Sequence, residues 1–77
     1  MKKYVILIKA NGKYQPGLEL ESDELFVAQS DFEDAYNQLD QILADQGGGV
    51  GTVTLFDRDE DVDIKHVELI RYRRRAR

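Results

Sequence analysis

The chain has 77 residues, of which 42% are hydrophobic and 34% are charged, with a formal net charge of −4 and no cysteine. This composition excludes disulfides and thiolate metal sites, and no apolar run approaches the roughly 18 residues that a membrane-spanning helix needs. A chain this short forms one domain with a thin core. We expect a cytoplasmic domain over 1–72, followed by a basic, flexible tail over 73–77.

Charge is segregated along the chain. Residues 1–13 hold four lysines and no acid, residues 14–70 hold all 15 acidic residues against two basic ones, and residues 71–77 add five arginines. The sequence therefore has two basic ends and an acidic body. Such a distribution governs association and solubility more than it governs the fold.

The first third of the chain predicts strands. Residues 3–10 alternate in polarity but are apolar on both faces in the middle, which indicates a central strand. Asn11-Gly12 predicts a type I′ hairpin turn. The returning strand is interrupted at Pro16, which cannot donate a ladder hydrogen bond, so one bent strand and two short strands both remain open. Leu25–Ala28 also reads as a strand.

A helix is predicted to follow. Ser30 and Glu33 have the spacing of a capping box, which would place Asp31, Glu33 and Asp34 at the positive end of the helix dipole, where they stabilise the helix. Apolar residues at spacings of three and four form one stripe: Phe32, Ala35, Tyr36, Leu39, Ile42 and Leu43. Gly47 is placed to end the helix in a left-handed conformation.

Two more strands complete the domain, over 50–56 and 64–72. The alternation of the second slips around Lys65-His66, and a β-bulge would restore it. The element order predicts a small α+β fold of ββαββ type, an antiparallel sheet with one helix packed on one face.

The segment between the last two strands is acidic and resembles an EF-hand calcium loop. Carboxylates occupy loop positions 1, 3, 5 and 12, namely Asp57, Asp59, Asp61 and Glu68. Against a calcium site, Val62 stands where the loop needs glycine, and the preceding residues are typical of a strand rather than a helix. The favoured interpretation is a solvated hairpin loop, with a calcium-responsive module as an alternative function.

The C-terminal arginines suggest a second alternative, a nucleic-acid accessory protein. Arg71, Arg73, Arg74, Arg75 and Arg77 could pair with phosphates. The acidic body would repel the same polyanion. A solubilising terminus, or a tail that folds back onto the acidic surface, explains the arginines equally well.

The favoured function is a small non-enzymatic protein-interaction module with an acidic surface. Glu19, Glu21 and Asp34 are its candidate contact residues, together with the outer face of the helix. In composition this surface is similar to that of small phage-encoded inhibitors, which bind basic sites on nucleic-acid enzymes. The sequence thus predicts a protein partner and a role as an inhibitor or adaptor.

Catalytic chemistry has little support in the sequence. His66 is the only histidine, and neither Ser22 nor Ser30 has a general base in its sequence context. We expect no enzymatic activity and no cofactor. Val5 and Leu7, on the second face of the first strand, suggest that a second copy of the chain covers this face as a homodimer.

Overall fold

One helix and five strands make up the described part of the chain, residues 2–72 of a computed structural model. The strands are β1 (Tyr4–Ala10), β2 (Lys13–Tyr14), β3 (Leu20–Ser22), β4 (Gly49–Asp57) and β5 (Val62–Arg71), and the helix is α1 (Leu25–Asp45). A turn of 3-10 helix over Pro16–Leu18 separates β2 from β3. The order confirms the predicted ββαββ fold, with the second strand divided in two.

β1 is the central strand of an antiparallel sheet. It pairs with β4 on one side and with both β2 and β3 on the other, while β5 pairs with the far side of β4. The turn after β1 has positive φ at both Asn11 (50°) and Gly12 (83°), as a type I′ turn requires. The sequence had left the form of the returning strand open, and the structure shows two short strands along one edge of β1.

The core lies between α1 and one face of the sheet. Its buried residues are Tyr4, Ile6, Ile8 and Ala10 from β1, Ala28, Phe32, Ala35, Leu39 and Leu43 from α1, and Val53 and Leu55 from β4. α1 packs mainly on β1 and β4 and touches β5 less. We call the other face of the sheet, on which no described element packs, the open face. No helix within residues 2–72 has the length and apolar character needed to cross a membrane.

The helix begins earlier than the sequence predicted. Its first residue is Leu25, so the prediction of a strand over Leu25–Ala28 is wrong, and Ser30 lies inside the helix rather than at its cap. Ala28 lies one turn before Phe32 and is only 1% exposed. The buried apolar stripe of the helix therefore continues one turn further towards the N-terminus than the sequence predicted. This packing outweighs the local capping signal, since tertiary context routinely overrides propensity.

The true N-terminus of α1 has a different arrangement. Glu24 is the N-cap residue and makes no side-chain cap bond. Instead the Ser22 hydroxyl accepts a hydrogen bond from the Glu24 N–H and donates one to the Glu24 carbonyl, both at 3.1 Å. The first turn holds no acidic residue, so the predicted dipole stabilisation by Asp31, Glu33 and Asp34 is also wrong.

The C-terminus of α1 matches the prediction. Gly47 has a φ of 80°. Its N–H donates to the carbonyl of Ala44 at 3.1 Å, and the Gly48 N–H donates to the carbonyl of Leu43 at 2.7 Å. These two bonds define a Schellman motif, in which a left-handed glycine satisfies the last carbonyls of the helix.

The predicted bulge in β5 is present. Leu55 faces Lys65 while the next residue, Phe56, faces Asp63, so Ile64 is the additional residue. Beyond this bulge the alternation is regular. Lys65, Val67 and Leu69 lie on the helix-covered face, and His66, Glu68 and Ile70 lie on the open face.

Gly51 sets how closely the helix approaches the sheet. A Cβ at this buried position would lie 2.7 Å from the carbonyl oxygen of Lys9 and 2.9 Å from Leu39 Cδ2. We expect Gly51→Ala to lower the free energy of unfolding by roughly 1–3 kcal/mol, because the backbone oxygen cannot move aside as a flexible side chain can. Urea unfolding measures the change.

Gly17→Ala provides the matched control. A Cβ at Gly17 meets nothing within 4 Å, so we expect a change of less than about 0.5 kcal/mol there. Equal losses of stability in the two variants would show that the close approach at Gly51 does not limit packing.

Candidate functional site

The acidic residues selected from the sequence do not form one patch. Glu19 is exposed just before β3. Glu21 is paired with Val5 across the β1–β3 ladder and therefore lies on the open face. Asp34 is exposed on α1, on the opposite side of the sheet. The three positions therefore belong to separate parts of the surface.

Glu21 forms an ion pair with Arg58, the residue that follows β4. Arg58 Nη2 lies 3.2 Å from Glu21 Oε1, and Arg58 Nη1 donates to Glu21 Oε2 at 3.3 Å and to the Lys2 carbonyl at 2.9 Å. Asp23 accepts from the Lys3 backbone N–H at 3.0 Å and from Lys2 Nζ at 3.3 Å. Asp57 Oδ2 lies 3.8 Å from Lys3 Nζ. We call this group the ion-pair cluster; its members are Lys2, Lys3, Glu21, Asp23, Asp57 and Arg58.

The ion-pair cluster joins three segments that are distant in sequence: the start of β1, the β3–α1 junction and the β4–β5 turn. Hydrogen bonding to Arg58, reinforced by its positive charge, lowers the pKa of Glu21 below its ordinary value. The hydrogen bond from the Lys3 backbone, and then that from Lys2, lowers the pKa of Asp23. Glu21 therefore has a structural role in the free protein.

The acidic segment after β4 forms a hairpin turn, as the favoured interpretation predicted. Asp57 is only 6% exposed, and its Oδ1 accepts hydrogen bonds from the N–H groups of Asp59 at 2.9 Å and Glu60 at 3.2 Å. Asp57, the first carboxylate of the EF-hand-like pattern, therefore closes the turn through these hydrogen bonds.

Glu68, the last carboxylate of the EF-hand-like pattern, lies far from Asp57, the first. Glu68 is paired with Thr52, five residues before Asp57 on β4 and hence about 17 Å along the strand. Residues 2–72 contain no group of three histidine, cysteine or acidic side chains arranged to hold a metal ion. The resemblance to an EF-hand loop is therefore one of spacing, and the four candidate ligands are not brought together.

One arginine of the predicted phosphate-binding set lies within the described residues. Arg71 Nη1 is 2.8 Å from Asp40 Oδ1, an ion pair that ties the end of β5 to α1. Arg73, Arg74, Arg75 and Arg77 lie outside the described residues. Nucleic-acid binding through the tail stays a prediction.

The outer side of α1 is acidic from Asp31 to the end of the helix. The helix carries Asp31, Glu33, Asp34, Asp40 and Asp45 and contains no lysine or arginine. Within residues 2–72, only Asp40 of these five forms an ion pair. The other four give this side of the domain negative charge that no lysine or arginine of the described residues neutralises in an ion pair.

An exposed aromatic ring extends this surface. Phe26 is 70% exposed, and Ser30 and Asp34 follow it at intervals of four residues, which places the three on one side of the helix. We call this surface the acidic helix face; it comprises Phe26, Ser30, Glu33, Asp34, Asn37 and Gln41, all exposed. Phe26 was missed from the sequence because it was assigned to a strand. A helix predicted to begin at Leu25 would have placed Phe26 on the same side as Ser30, four residues later.

The candidate catalytic side chains have partners within the fold. His66 Nδ1 lies 2.8 Å from the Thr54 hydroxyl on the open face, and the Ser22 hydroxyl is bonded to the Glu24 backbone. These contacts give both residues structural roles.

The two residues that suggested a homodimer through the open face are less accessible than expected. Val5 is only 4% exposed, and Leu7 is half-buried. The more exposed apolar residues of this face are Tyr14, Val50 and Ile70, at 63%, 44% and 53%. They lie around β2 and the adjoining ends of β4 and β5, away from Val5.

The ion-pair cluster predicts a dependence of stability on acid. Since the pKa values of Glu21 and Asp23 are lowered by folding, their contributions are complete above their ordinary pKa values near 4 and are lost as the pH falls through the lower, folded values. We expect the free energy of unfolding to decline below about pH 4, and to decline less in Arg58→Gln, in which Glu21 loses its cation.

Urea unfolding across a pH series measures this slope. Lys13→Gln is the control, since it removes the same charge at an exposed site outside the cluster. Identical slopes in the wild type and in Arg58→Gln would contradict the assignment of acid sensitivity to the Arg58–Glu21 pair.

Comparison of the chain with known proteins gives no further guide to its function. No protein-family model matches it, and neither a curated protein nor a solved structure matches it.

Proposed function

We propose that this protein is a small non-enzymatic interaction module that binds a basic surface of a protein partner through the acidic helix face. The observation that carries the proposal is the combination of exposed Phe26 with carboxylates that form no ion pair within residues 2–72, on a helix without lysine or arginine. We also propose that it acts as an inhibitor or adaptor in the cytoplasm.

The charge pattern of α1 is unfavourable for the isolated domain. Exposed helices commonly gain stability from acid–base pairs three or four residues apart, and like charges at the same spacing lower stability by similar amounts. Asp31 and Asp34 are three residues apart, and the helix offers no internal cation. A basic partner would relieve this repulsion, and its field would also speed the encounter.

Phe26 supplies an apolar contact, which the carboxylates of this surface cannot provide. Exposed ion pairs contribute little affinity, whereas a buried aromatic side chain is a common centre of binding energy. The ring stands at one end of the acidic helix face, so a partner that combines an apolar pocket with neighbouring lysines or arginines fits it best. A nucleic acid would meet repulsion from the same carboxylates.

We expect both Phe26→Ala and Asp34→Lys to weaken capture of the partner from a cell lysate by the immobilised protein. The first change removes the anchor and the second reverses a central charge. A loss of roughly tenfold or more for Phe26→Ala corresponds to a residue that carries a large share of the binding energy. Quantitative mass spectrometry of the retained proteins measures both losses.

Two variants match these changes elsewhere on the surface. Tyr72→Ala removes another exposed aromatic ring, 89% accessible, and Glu60→Lys makes the same charge reversal in the β4–β5 turn. We expect both controls to retain the partner. Retention that is equal in all five proteins, or that is lost only in the controls, would contradict the proposal.

A further inference from the structure

The two edges of the sheet differ in how they are protected. One edge consists of β2 and β3, strands of two and three residues interrupted by the 3-10 turn. The other edge is β5, which is ten residues long and has no strand beyond it among residues 2–72. An unpaired strand presents a row of N–H and C=O groups that can pair with another chain. β5 is therefore the edge at which the sheet can be extended.

Part of β5 is suited to such pairing. The bulge at Ile64 interrupts the strand near its start, but from Lys65 to Arg71 the register with β4 is unbroken. This segment contains neither proline, which would remove a backbone N–H donor, nor glycine, which weakens a strand. Seven consecutive residues thus form a regular outer edge.

From this edge we infer that a second copy of the chain pairs antiparallel with β5, through a two-fold axis at Val67 and with both helices on the same side of the joined sheet. In this register His66 of each copy faces Glu68 of the other on the open face. On the helix-covered face Val67 faces its own counterpart, and Lys65 faces Leu69. In this register an imidazole lies beside a carboxylate that can accept its N–H, two valines meet, and no like charges are opposed.

Other registers match less well. Centring the axis on Glu68 would set the two Glu68 carboxylates against each other and Lys65 against Arg71, and like charges directly opposite are destabilising. A shift by one residue would turn the second copy over. Val67 of one copy would then face His66 of the other, which sets an apolar position against a polar one.

The inferred pairing also covers a groove that the single chain leaves open. Between α1 and β5 lies a cavity of about 480 Å³, lined by Phe32, Glu33, Tyr36, Asn37, Lys65 and Val67. Val67 lies on the two-fold axis, so the grooves of the two copies would face each other across it. The short paired segment gives an interface at the low end of specific contacts, and we expect a weak dimer that forms only at high concentration.

A single cysteine tests the register, since the chain has no cysteine of its own. Residues directly opposite in an antiparallel pair have Cα atoms about 4.5–5.5 Å apart, within disulfide range. Val67→Cys should therefore form a disulfide-linked dimer under mild oxidation. Ile70→Cys is the control: it is 53% exposed, but its counterpart would lie about 20 Å away along the joined strands.

Charge variants test the same pairing without covalent linkage. Sedimentation equilibrium should show that His66→Glu weakens the dimer roughly tenfold, because the introduced carboxylate of each copy would face Glu68 of the other. The double change His66→Glu with Glu68→Lys should restore association, since each facing pair then has opposite charges. Both positions are exposed, and thermal melting checks that the variants stay folded.

The inference is overturned by a wild-type monomer at concentrations up to about 1 mM, by cross-linking at Ile70→Cys without cross-linking at Val67→Cys, or by a dimer that neither charge variant alters. The second result would instead indicate association through the exposed apolar residues of the open face. These measurements need no partner and substitute no residue of the acidic helix face, so their outcome is separate from that of the proposed function.

Discussion

The packing of one apolar stripe of α1 against β1 and β4 is the interaction on which the rest of the structure depends. It buries Leu39 completely and leaves Ile8 only 1% exposed, and Gly51 allows the helix to approach the sheet closely. A domain of this size supplies one helix, which covers one face of the sheet and its inner strands. The open face and the exposed edge at β5 are direct results of that limit.

Charge has two different uses in this fold. In the ion-pair cluster, Arg58 and the N-terminal lysines pair with carboxylates at one end of the sheet. These acids therefore help to hold the start of β1, the β3–α1 junction and the β4–β5 turn together. Along α1, by contrast, most acids have no cation beside them within the described residues. The net negative charge of the chain body is thus partly neutralised within the structure, and what is left lies mainly on α1 and around the β4–β5 turn.

Features that depend on local chemistry could be predicted from the sequence. Asn11-Gly12, Gly47 and the phase slip near Lys65 each require a particular backbone geometry, and each produced it. The start of α1 could not be predicted locally, because burial of Ala28 outweighed the capping signal at Ser30. The pairing of Glu21 with Arg58 was equally inaccessible, since it joins residues that only the folded sheet brings together.

The strand directions bear on how the domain responds to mechanical load. β1 and β5 run the same way because each is antiparallel to β4, so the chain enters β1 and leaves β5 at opposite ends of the sheet. Tension between Lys2 and Tyr72 would slide these two strands along β4, which lies between them. The ladder hydrogen bonds lie across that direction and would share the load together instead of opening one by one. Stretching the domain therefore requires both ladders of β4 to shear, rather than a single strand to peel away.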